Sequence, residues 1–162
     1  MMAIAAIERA LASGVLIKTL VVVASRGATA GELESEQVSL GRVLSSPHRL
    51  LLERWNGLDL DVIRLYGVGS TEPGIRSLRA EQRDWPELDG SLIVGSDPSG
   101  FIYLERPTGE IWTLDTDGGD EEVVAENIDA LFWKHVFGSD AAVFGGEEWA
   151  ERLLRAGVSV RS

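Results

Sequence analysis

The sequence predicts an α+β fold: a single domain over residues 1–162, with a curved, mainly antiparallel sheet flanked by helices. Three observations carry this. Helical apolar spacing recurs up to residue 55, short β-rich runs punctuated by glycine fill residues 60–114, and helical spacing returns from residue 126. Helices segregated from a run of strands argue for α+β rather than alternating βαβ units. The 162 residues suit one domain, and 44% apolar content is enough to fill its core. A domain of this length buries roughly 70% of the surface its unfolded chain exposes. There is no cysteine, which excludes disulfides and thiolate metal sites.

Taken in order, residues 3–12 place Ile4, Ile7 and Leu11 on one helical face, and Gly14 is the stop. Val15–Ala24 reads equally as a strand or as a buried helix. Residues 25–31 are a small-residue break, and a second helix begins near Thr29 or Gly31. Its apolar stripe is imperfect: Leu33, Val38, Leu40, Val43 and Leu44. Ser46-Pro47 starts a third helix, since serine caps and proline fits the first turn. Leu51, Leu52 and Trp55 share one side of it, and Asn56-Gly57 ends it through a left-handed cap.

The period then changes. Leu60–Tyr66 reads as one strand entering the turn Gly67–Ser70. Residues 74–84 form a short exposed helix closed by Trp85-Pro86, and Leu92–Val94 a short buried strand. In the turn Gly95–Gly100, Pro98 fixes one backbone angle and Asp97 accepts backbone N–H groups. Phe101–Leu104 and Ile111–Leu114 pair as a hairpin across Arg106–Glu110. Asp115–Glu122 is a loop. Glu126–Phe137 is a helix with Ile128, Leu131, Phe132 and Val136 inward, closed by Gly138, and a last helix covers Glu147–Ala156.

The formal charge is −11, and it is concentrated. Residues 97–126 carry nine acids and one base, Arg106. Such a field repels nucleic acid and anionic membrane and attracts basic proteins. The bland alternative is a solvated, solubilising face. The apolar run Val15–Ala24 is interrupted by Lys18 and is shorter than the roughly 20 residues that span a bilayer. It has no basic segment before it, so a cytoplasmic protein without a leader is expected.

Catalytic signatures are thin. Two histidines, His48 at a helix start and His135 near a helix end, are the candidate general bases. There is no GxSxG, no GK[ST] phosphate loop and no HExxH. Gly67-Val68-Gly69 lacks the third glycine of a dinucleotide site. Asp115, Asp117 and Glu126 fall at positions 1, 3 and 12 of a calcium loop, but the required glycine at position 6 is Asp120. Arg76, Arg79 and Arg83 share a helical face that Glu81 and Asp84 offset, which is a solvated face and not a nucleic-acid stripe. No metal and no cofactor are expected.

Three stretches resemble one family. The first is Glu32–Gly57, ending LLLERWNG. The second is the strand, Gly-Ser-Asp turn and hairpin of LIVGSDPSGFIYLERPTGEIWTLD. The third is the downstream helix VAENIDALFWKHVFG. In order and spacing they resemble the SUKH superfamily, built around the Smi/Knr-type cell-wall regulator domain. The likeness spans residues 30–138 and leaves residues 1–29 as an N-terminal addition. It implies a compact α+β domain without a common catalytic constellation. Bacterial members are similar to immunity proteins that bind and neutralise toxins, and others act as interaction modules in regulatory complexes.

The combined expectation is a non-enzymatic protein-binding domain that neutralises a basic toxin domain through its acidic surface. Nucleases are apt targets, because their phosphate-holding sites are basic. The expected contact residues are Asp115, Asp117, Asp120, Glu121 and Glu122, with Trp112 or Trp85 as a buried anchor. A regulatory or scaffold module of the same fold is one alternative. An enzyme with a pocket lined by His48 or His135 and carboxylates is the other. The sequence leaves the oligomeric state open.

Overall fold

The computed structural model describes residues 1–16 and 22–159. Half of the strand-or-helix alternative over Val15–Ala24, residues 17–21, therefore lies outside the described residues, while Val23–Ala24 at its end is a strand. Seven antiparallel strands form one open sheet in strict chain order: β1 (Val23–Ala24), β2 (Leu58–Asp59), β3 (Arg64–Leu65), β4 (Leu92–Ser96), β5 (Phe101–Glu105), β6 (Ile111–Asp115) and β7 (Glu121–Ala125). The helices are α1 (Met2–Ser13), α2 (Ala30–Leu40), α3 (Ser46–Arg54), α4 (Leu78–Asp84), α5 (Ile128–Ala130), α6 (Ala141–Gly145) and α7 (Glu147–Arg155). The chain is an α+β domain with one hydrophobic core. Among the described residues, no helix is long and apolar enough to cross a membrane.

The helix boundaries follow their caps. Gly14 ends α1 at φ 76°. Thr29 and Glu32 form a reciprocal capping box: the Glu32 N–H donates to Thr29 Oγ1 at 3.2 Å, and the Thr29 N–H to Glu32 Oε2 at 2.8 Å. Ser45, one residue earlier than expected, caps α3. The N-terminus of α1 is capped from across the chain, where Asp129 Oδ1 accepts the Ala3 N–H at 2.8 Å. With Ala3, Ala6, Ile7 and Ala10 fully buried, α1 packs on α3 and α5 as part of the shared core.

Several local readings are corrected. The stripe over α2 and the turn after it holds only in part: Leu33 and Leu44 are buried and Leu40 packs on the core, but Val38 and Val43 are 81% and 84% exposed, while Glu36 is buried and accepts the Gly69 N–H. Leu60–Tyr66 is not one strand, because Asp61 at φ 65° turns β2 back onto β3. Asn56 does not form a left-handed cap. Trp55 closes α3 in an extended conformation, and the buried Asn56 amide clamps Val68 instead, donating to its carbonyl and accepting its N–H at 2.9 and 2.8 Å. Asp115–Glu122 is not all loop, since Glu121 and Glu122 open the outer strand β7. The expected long helix is α5 followed by a π-helical stretch over Leu131–Val136, in which Phe137 N–H reaches Phe132 O at 3.0 Å. Helix α6 had no counterpart in the sequence reading.

Strand register places the candidate residues. Phe101, Tyr103 and Glu105 on β5 pair with Asp115, Thr113 and Ile111 on β6, so these six share one face. Ile102 and Leu104 pair with Leu114 and Trp112 on the other. Gly95 makes this sheet possible at its bulge: a Cβ there would meet Arg64 O at 2.0 Å. Trp149 ties α7 to the π-helical stretch through its indole N–H, which donates to Val136 O at 2.8 Å.

Candidate functional site

The acidic residues gather on the β6–β7 hairpin, and local chemistry explains its shape. Asp115 Oδ1 accepts the Asp117 N–H at 2.9 Å, the side-chain turn that aspartate favours. The Asp115 N–H reaches Asp120 O at 2.9 Å, and Gly119 supplies the φ of 77° that closes the turn. Thr116 Oγ1 donates to Gly100 O at 2.8 Å, pinning the tip to the β4–β5 turn. The hairpin therefore holds its acids on a braced turn at the outer end of the sheet.

The five expected carboxylates are not equivalent. Glu121 is paired with Arg106, whose guanidinium also donates to Ser91 Oγ at 2.8 Å and sits 5.1 Å over the Trp112 ring. Among the described residues, Asp115, Asp117, Asp120 and Glu122 have no cationic side chain within ion-pair distance. Trp112 is half-buried beneath Arg106, so an incoming partner meets the guanidinium first. Trp85 lies apart, half-buried at the end of α4, which packs on β4. The calcium-loop numbering does not survive as geometry, since β7 carries Glu126 to the far end of the strand from Asp115 and Asp117. The remaining acids of the charged stretch do not join this surface as a block: Glu105 is buried at the other end of β5.

Two clefts flank the hairpin and share Phe101, Thr113 and Glu122 in their walls. One, of about 450 Å³, is lined by Asp115, Asp120 and Glu121. The other, of about 350 Å³, runs from β7 to α6 and is bounded by Asp97, Tyr103, His135, Asp140, Val143 and Phe144. Tyr103 OH donates to Asp97 Oδ2 at 2.8 Å; burial and that carboxylate push the phenol pKa far up, so it stays a donor. His135 Nδ1 lies 3.3 Å from Asp140 Oδ2. Burial lowers the His135 pKa against the opposing pull of Asp140, which favours the neutral ring. Val123 and Val143 stand 56% and 89% exposed along this trough.

The arrangement can grip a basic, partly apolar surface by charge and contact. Its capacity for proton transfer is poorer. His135 Nε2 is sealed from solvent without a partner, so the ring would have to turn before a substrate could reach that nitrogen. His48 is wholly buried beside Glu105, its Nδ1 3.8 Å from Oε1. Neither histidine is the exposed, isolated group that would speak most strongly against catalysis. Sequence reasoning missed Phe101, Val123, Asp140 and Val143 as surface features. The β-branched pair Val123-Val124 after a Gly-Gly turn was the available signal for the outer strand.

Compared with known proteins, the chain matches no family model and no curated protein sequence.

Proposed function

We propose that this domain is a non-enzymatic, cytoplasmic protein-binding module whose acidic outer edge grips a basic protein. We assign it the role of an immunity protein of SUKH type that neutralises a toxin, with a nuclease domain as the favoured target. The observation that carries this reading is the row of uncompensated carboxylates Asp115, Asp117, Asp120 and Glu122 beside the exposed Val123 on an outer strand. Charge of one sign steers a basic partner inward and excludes acidic ones. Phe101, Val123 and Val143 then supply the apolar area that holds it. The acids mimic the phosphates that a nuclease site is built to hold.

The test is growth rescue. The protein encoded beside the gene is co-produced with the wild-type domain and with a variant carrying Asp115→Asn, Asp117→Asn, Asp120→Asn and Glu122→Gln. Asparagine at 115 keeps the turn acceptor, so the variant changes charge while leaving the hairpin its geometry. Rescue by the wild type and its loss in the variant support the reading. Equal rescue by both removes the acidic edge from the interface. No rescue by either favours a regulatory or scaffold module with a different partner.

A further inference from the structure

The sheet is open, and β7 is its last strand, with β6 on one side only. Residues along an antiparallel strand alternate between bonding their neighbour and turning their N–H and C=O the other way. The Asp115 N–H bonds Asp120 O, Leu114 pairs with Glu121 and Thr113 with Glu122. In that register Glu122 exchanges bonds with β6, while Glu121 and Val123 point their backbone N–H and C=O outward. All three residues are exposed. Among the described residues, no hydrogen bond reaches their backbone from beyond β6. The trough of about 350 Å³ opens along this edge, with Val143 and Phe144 of α6 in its far wall.

The two faces of the edge differ. Glu122, beside Thr113, looks over the trough, whose walls also carry Asp97 and Asp140. Asp140 already has Lys134 and His135 beside it, so Glu122 is the freer charge. Val123, on the rim, turns to the face of Trp112, over which the Arg106 guanidinium sits. A strand laid on β7 therefore meets a carboxylate at one residue and an apolar side chain near a cation at the next. A second copy of this chain fits badly, because it would set one acidic hairpin against another. The bulge at Val124 ends the regular edge, so the addition is short.

We propose that β7 receives an extended segment of the basic partner as an added strand, in which lysine or arginine alternates with aliphatic residues. The aliphatic residues bond the outward backbone of Glu121 and Val123 and pack beside Val123, and the basic residues between them face Glu122 over the trough. This rests on the reading of the acidic edge as the partner-binding surface, and adds how the partner is held there.

Amide hydrogen exchange and chemical shifts of the full chain, read by NMR, test this with the peptide acetyl-Lys-Val-Lys-Val-Lys-Val-Lys-amide. Saturable binding is expected, with exchange at saturation slowed at least about tenfold at the Glu121 and Val123 amides and little changed at Glu122, whose N–H already bonds β6. N-methylation of the valines removes the N–H groups that face β7 and should abolish binding. N-methylation of the lysines, whose N–H groups face away, should leave most of it. Val123→Pro deletes one outward donor without touching the bonds to β6, and should weaken the unmodified peptide at least about tenfold. If that variant folds poorly, the methylated peptides decide on the wild-type protein alone. No binding, equal binding of the valine-methylated peptide, or binding without slowed exchange at Glu121 and Val123 overturns strand addition. Should the variant neutral at 115, 117, 120 and 122 lose binding while the valine-methylated peptide still binds the wild type, the acidic grip stands and strand addition alone fails. Equal binding of the unmodified peptide by that neutral variant and the wild type removes the acidic edge, and the proposal with it. Concentration-dependent protection of the same two amides without peptide assigns the edge to a second copy and overturns the proposal.

Discussion

Replacing Asn56 by alanine should cost this domain a large part of its stability. The Asn56 side chain acts as a piece of backbone, completing a two-bond ladder to Val68 at 2.9 and 2.8 Å. Asn56 is 2% exposed and Val68 fully buried, so water does not replace either bond. Alanine leaves the Val68 N–H and C=O both unsatisfied, at about 1–3 kcal/mol each. The expected loss is about 4 kcal/mol, against a total of about 5–15 for a typical domain. In a chain of this size that is a fall in Tm of roughly 8–16 °C. Asn56→Asp keeps the acceptor but sets a carboxylate oxygen against the Val68 carbonyl, so it should be no milder. Asn127→Ala is the control: Asn127 Oδ1 caps α5 on the Ala130 N–H at 2.9 Å, worth about 1 kcal/mol. Urea and thermal unfolding followed by circular dichroism measure all three. A loss at Asn56→Ala below about 1 kcal/mol, or no larger than the control, refutes the clamp as a main tie of the Gly67–Ser70 turn.

Further outcomes follow from the titrating groups. The Arg26 contact, with the Thr29 backbone bond, holds the Glu32 pKa down to about 2 from 4.5. A depressed carboxylate contributes stability that is present above pH 4.5 and lost as pH falls toward 2. Glu32→Gln should therefore flatten the acid limb of the stability curve in that window, while Thr29→Ala costs about 1 kcal/mol at neutral pH. The His135 pKa is lowered as well, by burial: its folded pKa lies below 6.5, so the unfolded chain takes up the proton first. Stability should fall as pH drops below 6.5, and His135→Gln should remove that part of the slope in urea titrations at stepped pH.

Much of the scaffold was legible because short-range chemistry set it. Gly14, the small-residue break before Thr29 and Ser46-Pro47 marked helix ends to within a residue or so, because the caps there act over only a few residues. The Arg106–Glu110 turn likewise announces the β5–β6 hairpin. What escaped depends on distant partners. Val38 and Val43 complete a plausible stripe, yet Glu36 turns inward because Gly69, thirty-three residues on, offers an N–H. Strand β7 was hidden by its acidic start and by a bulge opposite Ile111 and Trp112 that breaks the period of two. The acidic surface was visible in composition. Its division was not: Arg106 neutralises Glu121 from fifteen residues away, and Ser45 binds Glu105 from sixty.

The salt dependence of the association rate, measured by stopped flow with the partner that growth rescue identifies, tests the acidic edge most directly. From about 0.02 to about 0.5 M salt the Debye length shrinks from roughly 20 to roughly 4 Å, which removes steering by exposed charges. The wild-type rate should fall at least about tenfold over that range, and the variant neutral at 115, 117, 120 and 122 should start low and change little. Parallel salt slopes for the two proteins would contradict the account.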